Sequence, residues 1–129
     1  MHILLSNDDG YDADGLRCLE KALSELATVW VVAPDQGQSA MGRAITLQRP
    51  LKVSQFAERH FKVNGTPSDC VNLAVHGIMP QHPDLVISGI NHGGNMGDDI
   101  SYSGTAAAAF EATILGIPAI AMSLATKKD

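Results

Sequence analysis

Apolar and polar positions fall into blocks along this chain, and most blocks have a clear period. Residues 2–6 (His-Ile-Leu-Leu-Ser) form a short apolar run that predicts a buried strand. Leu16, Leu19, Leu23 and Leu26 recur at helical spacing. They predict an amphipathic helix over residues 15–27, with Asp14 as N-cap. Residues 28–33 (Thr-Val-Trp-Val-Val-Ala) are β-branched and apolar, a central strand that Pro34 stops. Residues 45–47, 51–53 and 61–63 look like short strands alternating in and out, an antiparallel excursion. Thr66-Pro67-Ser68-Asp69 opens a helix: Thr66 as N-cap, Pro67 at the first helical position, Asp69 reaching back. That helix runs to about Ile78 and stops before Pro80. Residues 84–89 predict another buried strand, residues 90–104 a long Gly/Asn/Asp loop, residues 105–115 an Ala-rich helix ended by Gly116, and residues 117–124 a last strand.

Strand, helix, strand, repeated, is the pattern of a mainly parallel α/β sheet between helical layers. Such sheets bind ligands beyond the carboxyl ends of their strands. Most of the polar clusters in this sequence fall there. The chain has 129 residues, 45% of them apolar, which allows one domain over residues 1–129. It shows no repeat, linker or low-complexity tract. The last predicted strand lies against the end of the sequence, where a doubly wound sheet goes on to a covering helix, so the front part of a longer protein is expected.

Nine Lys+Arg against 14 Asp+Glu give a net charge of −5, which argues against a nucleic-acid or anionic-membrane binder. Two isolated cysteines, Cys18 and Cys70, make neither a disulfide scaffold nor a Cys-rich zinc site. The N-terminal apolar run is too short for a signal peptide, and no run of about 20 apolar residues suggests a membrane span. A cytoplasmic setting is the expectation.

Asn7-Asp8-Asp9-Gly10 directly follows the first strand. Two carboxylates about 4 Å apart repel by about 4 kcal/mol at an effective dielectric near 20, and a divalent cation removes that repulsion. Hard oxygen ligands suit magnesium or manganese. Asn7 can fix a carboxylate or bind phosphate; the other reading of the cluster is a solvated turn. The Ser39 loop, residues 34–43, has the glycine spacing of a P-loop but Arg43-Ala44 where that motif needs Lys and then Ser or Thr, so a P-loop is rejected. Residues 88–99 hold Asn91, His92 and Asn95 among four glycines, which suits close approach of backbone to a ligand. Ser103, Gly104 and Thr105 open the predicted Ala-rich helix. Free N–H groups there suit a phosphate, or Ser103 is a plain N-cap. A metal site beside an anion site suggests phosphoryl chemistry. The absence of G-x-G-x-x-G after the first strand argues against a dinucleotide site.

These residues resemble the SurE family, the stationary-phase survival proteins. The resemblance rests on Ile3 to Gly10, Val32-Ala33-Pro34-Asp35 with Ser39, Gly65 to Val71, Ser88-Gly89-Ile90-Asn91 with Gly94 to Asp99, and Tyr102-Ser103-Gly104-Thr105, in order over the whole chain. It implies a Rossmann-like three-layer fold and metal-dependent hydrolysis of nucleoside 5′-monophosphates, with 3′-nucleotides and short polyphosphate as further substrates. It implies one divalent ion, Mg2+ or Mn2+, on Asp8, Asp9, Ser39 and Asn91, with Asp8 and Asp9 the catalytic pair. It assigns Asn95, Ser103, Gly104 and Thr105 to the phosphate. The attacking group is water or one of the aspartates. This chain has Gln38 where the family often has a basic residue and Gly94 where it usually has proline. Family members are also roughly twice as long; their C-terminal part completes the sheet and exchanges arms between subunits, implying a homo-oligomer.

Overall fold

Leu, Ile and Val occupy consecutive positions near residues 3–5, 29–32 and 85–87, so these segments have no polar face and can only be interior strands. In the computed structural model they pair side by side. The structure describes residues 1–35, 50–91 and 99–123, with backbone alone at 91 and 99–103. Its strands are β1 (His2–Ser6), β2 (Thr28–Pro34), β3 (Val53–Ala57), β4 (His60–Val63), β5 (Leu85–Asn91) and β6 (Ala119–Ser123). They form one sheet in the order β3-β4-β2-β1-β5-β6. Only the β3–β4 pair is antiparallel among the described residues. Helix α1 (Asp14–Leu23) packs on one face; α2 (Pro67–Leu73) and α3 (Asp99–Ile114) pack on the other. This is the expected Rossmann-like α/β sandwich, and the chain winds outward in both directions from β1.

Two apolar cores follow from the two faces. Leu4, Val32, Val63 and Val86 meet Cys70, Val71 and Ala74 of the α2 segment and Ala108 and Ala112 of α3. Ile3, Leu5, Val29, Val31 and Ile87 meet Leu16 and Leu19 of α1. Alternate residues of one strand thus serve opposite cores, as pleating requires.

Several boundaries differ from expectation. Helix α1 ends at Leu23, and Leu26 is 79% exposed although it keeps the leucine spacing. The Ser24 hydroxyl donates to Glu20 O at 2.7 Å and helps close the helix there. Its N-cap is Ala13, with Asp14 already in the first turn, where a carboxylate suits the helix dipole. Helix α2 continues as a wide π-helical turn over Ala74–Ile78, so helical backbone does reach Ile78. Of the expected antiparallel segments, 45–47 lies outside the described residues. The other two become β3 and β4, with β3 starting only at Val53. Helix α3 opens at Asp99, well before the expected start at Thr105. Trp30 of β2 is half-buried, packs against the α2–α3 side core and stacks on Phe61 with ring centres 6.4 Å apart.

Candidate functional site

Strand order reverses at β1: β2 lies on one side and β5 on the other, with Leu5 paired to Val31 and to Ile87. At such a reversal the loops leaving adjacent strands diverge and open a crevice at the carboxyl ends. Asn7, Asp8 and Asp9 leave β1 at that point, and Asn91 closes β5 beside it.

The turn after β1 is built by its own residues. Asn7 Nδ2 donates to Gly10 O at 2.8 Å, and Gly10 N donates back to Asn7 Oδ1 at 3.2 Å. Gly10 has φ 117°, a conformation that side chains disfavour. Tyr11 N then donates to Pro34 O at 2.8 Å, tying the turn to the end of β2. Asn7, expected to steady a carboxylate or bind phosphate, therefore spends its amide on shaping this loop.

Asp8 is 1% exposed. Its carboxylate lies directly under α3: a Cβ on Gly104 would stand 2.5 Å from Asp8 Oδ1 and 2.7 Å from Cγ. Gly104 is the residue that lets helix backbone reach the carboxylate. Asp9 is half-buried beside it. Because α3 opens at Asp99, Gly104 and Thr105 lie beyond the first four residues, whose N–H groups are the free ones. The expected helix start at Ser103-Gly104-Thr105, with free N–H groups, is corrected accordingly. Thr105 is fully buried, on the same side of α3 as Ala108 and Ala112. Ser103 lies in the same helix; Ser39 and Asn95 fall outside the described residues, as do His92 and Asp98. Asp99, expected in a loop, is the first residue of α3.

Below Asp8 the inner face of the sheet turns polar. Ser6 and Ser88 are register partners, both fully buried. Ser88 Oγ has no hydrogen-bond partner among the described residues and Ser6 Oγ meets only the Cys70 thiol; a buried hydroxyl left without a partner costs about 1–3 kcal/mol. Both serines fall within the motifs that carry the resemblance, but the sequence assigns neither a role, because each closes an apolar run. Cys70 lies on the inner side of α2, fully buried. Burial pushes its thiol up, the Asp69 carboxylate adds to this, and the Ser6 hydroxyl works the other way.

Thr66-Pro67-Ser68-Asp69 is structural, as expected. Thr66 N donates to Asp69 Oδ2 at 3.0 Å, and Asp69 N donates to Thr66 Oγ1 at 3.1 Å. A second cleft, about 390 Å³, lies between α1 and the β3–β4 hairpin. Tyr11 and Phe56 line it with ring centres 4.8 Å apart, and His60 pairs with Glu20 across it. None of the expected site residues lines it.

No group of three or more His, Cys, Asp or Glu able to hold a metal occurs among the described residues. The expected ligand set has two carboxylates, one hydroxyl and one amide, so that result bears only on other kinds of site. The donor chemistry suits a hard divalent cation, and the buried Asp8 carboxylate under a side-chain-free helix position fits one.

Residues 3–129 match the family model of survival protein SurE. The chain belongs to the SurE family. The 5′-nucleotidase SurE of Pelobacter propionicus is 56% identical over 128 residues, covering 99% of this chain and 52% of the relative. That of Geobacter sulfurreducens is 56% identical over 126 residues, covering 98% and 48%. The crystal structure of the SurE protein from Aquifex aeolicus superimposes with a TM-score of 0.87 at 48% identity, over 95% of this chain and 50% of that one. The chain thus spans about half the length of these SurE relatives. No helix among the described residues is long and apolar enough to cross a membrane.

Proposed function

We propose that this chain carries the metal and phosphate site of a phosphomonoesterase that hydrolyses nucleoside 5′-monophosphates to nucleoside and phosphate. Nucleoside 3′-monophosphates and short polyphosphate are further substrates on this reading. The observation that carries it is Asp8: a carboxylate 1% exposed, at the strand reversal, with the Gly104 backbone against it. The 5′-nucleotidase activity for which the relatives are named supports it.

Asp8, Asp9, Ser39 and Asn91 would hold one divalent ion, Mg2+ or Mn2+. Such an ion, when bound, polarises the phosphoryl group and lowers the pKa of a bound water. Asp8 and Asp9 supply the negative charge that keeps the cation. The Asn7–Gly10 clasp fixes the turn that presents both. Asn95, Ser103 and Thr105 orient the phosphate through side-chain donors. Gly104 serves by lacking a side chain, which lets α3 lie close to Asp8. Water attacks phosphorus and the nucleoside oxygen leaves with a proton. Two free cysteines, one exposed, fit a cytoplasmic setting, and the net charge of −5 disfavours nucleic-acid partners. Exposed Phe110 and Ile114, one turn apart on α3, fit contact with further protein in a homo-oligomer.

The test is phosphate release from a panel of nucleoside monophosphates, with and without Mn2+ or Mg2+, beside Asp8→Asn. The expected result is metal-dependent release, with kcat lowered by orders of magnitude in Asp8→Asn and an unchanged circular dichroism spectrum. Bound nucleotide recovered intact from a folded, metal-loaded chain would instead identify a nucleotide-binding protein. In oxygen-18 water, a single turnover should place label in the phosphate; unlabelled phosphate would make an aspartate the nucleophile.

A further inference from the structure

We infer that Ser6 and Ser88 are positioning residues for Asp8, a pair of buried hydroxyls that orient its carboxylate toward a divalent cation. The inference rests on the reading of Asp8 as a cation ligand. Leu4 pairs with Val86, and two residues further along the same strands Ser6 pairs with Ser88. Alternate strand residues share a face, so the serines continue the inner row that Leu4 and Val86 begin. Asp8 follows Ser6 by two residues, and its carboxylate lies under Gly104 on this same side. The row therefore runs from aliphatic to hydroxyl to carboxylate as it nears the strand reversal.

Both serines are fully buried; Ser88 Oγ has no hydrogen-bond partner among the described residues, and Ser6 Oγ has beside it only the Cys70 thiol, a weak donor and acceptor. Alanine would fill either place without that cost, as Ala33, Ala74, Ala108 and Ala112 do elsewhere in the two cores. Retaining two such hydroxyls side by side, one row behind a buried carboxylate, suits a task that begins when the site is loaded. A carboxylate that gives one oxygen to a cation is held by hydrogen bonds to its other oxygen, and those bonds fix its direction. A serine hydroxyl turns about its bond to Cβ and can donate to either neighbour. Asp8 lies two residues beyond Ser6 on the β1 side and Ser88 is the register partner of Ser6 on β5, so hydroxyls from two strands would together set the orientation of the carboxylate as well as its distance.

The experiment compares Ser6→Ala and Ser88→Ala with the parent 129-residue chain by two readouts. One is Mn2+ affinity, from the electron paramagnetic resonance signal of free ion. The other is thermal melting in chelator. Each variant should bind Mn2+ roughly ten- to a hundredfold more weakly. Each should melt, free of metal, at or above the parent temperature, because a hydroxyl without a strong partner has been removed. Structural hydroxyls would give the opposite pattern. Parental Mn2+ affinity in both variants, or a lowered metal-free melting temperature, would overturn the inference. Asp8→Asn separates it from the reading beneath it. A parent that binds Mn2+ no better than Asp8→Asn overturns both. Binding lost in Asp8→Asn but kept in both serine variants overturns the positioning role alone.

Discussion

A methyl group added at Gly104 would land 2.5 Å from Oδ1 and 3.1 Å from Oδ2 of Asp8. Inside a helix, alanine ordinarily gains about 0.5–1 kcal/mol over glycine. Forcing a methyl into packed space costs about 1–3 kcal/mol, so here the sign reverses. Gly104→Ala should lower stability by roughly 1–2 kcal/mol in urea denaturation and weaken Mn2+ binding as well; a stabilised variant would show that α3 does not press on Asp8. Cys70 offers a pH test. Its folded thiol titrates above the unfolded one, so it contributes fully below the ordinary thiol pKa of about 8.5, and that contribution falls as pH rises beyond it. The denaturation midpoint should drop between roughly pH 8 and pH 10, and less steeply in Cys70→Ala. At this scale the Asn7-Asp8-Asp9-Gly10 turn was legible because its four residues act on their immediate neighbours. The work of Asn7 was not, since an amide that clasps Gly10 and one that binds phosphate look alike in a sequence. Ser6 and Ser88 were hidden for another reason: their significance lies in facing each other across 82 residues of chain.

Helix α2 was readable to the residue because its start is a local device. The reciprocal Thr66–Asp69 bonds span three positions and need nothing from the rest of the fold. Thr66→Ala should cost about 0.5–2 kcal/mol in thermal denaturation. Adding Asp69→Ala should cost about the sum of the single changes, since each bond joins one side chain to the other residue's main-chain N–H, which alanine keeps. A loss smaller than the sum would mean that each bond steadies the other. The start of α3 was not readable. Ser101, Ser103 and Gly104 carry weak helix preference, and their proximity to a glycine-rich stretch suggests loop. What holds that turn in place is the Gly104 approach to Asp8, a contact across 96 positions that no local preference encodes. The end of α1 was overestimated for the converse reason: Leu26 keeps the period yet meets no core. Periodicity shows that a side could be buried, and only packing determines whether it is.

The architecture of alternating strands and helices was evident from the apolar runs, and so was the edge of the sheet on which Asp8 and Asp9 leave β1. The order of strands was not, because parallel pairing is set by partners far along the chain. Three large apolar side chains remain open to solvent near β6: Phe110 at 65%, Ile114 at 63% and Ile120 at 47%. A chain with Phe110 and Ile114 uncovered on α3 should brighten an apolar-surface dye, and Phe110→Ser should reduce the signal while shifting stability by no more than about 0.5 kcal/mol, as an exposed substitution does. An unchanged signal would mean the dye binds elsewhere. The central place of β1 has a consequence for how the molecule comes into being. Synthesis delivers Asp8 and Asp9 long before Leu85, yet β1 gains its β5 neighbour only when Leu85 and its successors emerge. The backbone N–H of His2 waits for Asp84, 82 positions later. Throughout that interval one whole side of β1 is an open strand edge, the kind of surface that pairs with whatever strand it meets. The paired acids that leave β1 thus acquire their full surroundings only once the segment from Leu85 to Ser88, far along the chain, has been made.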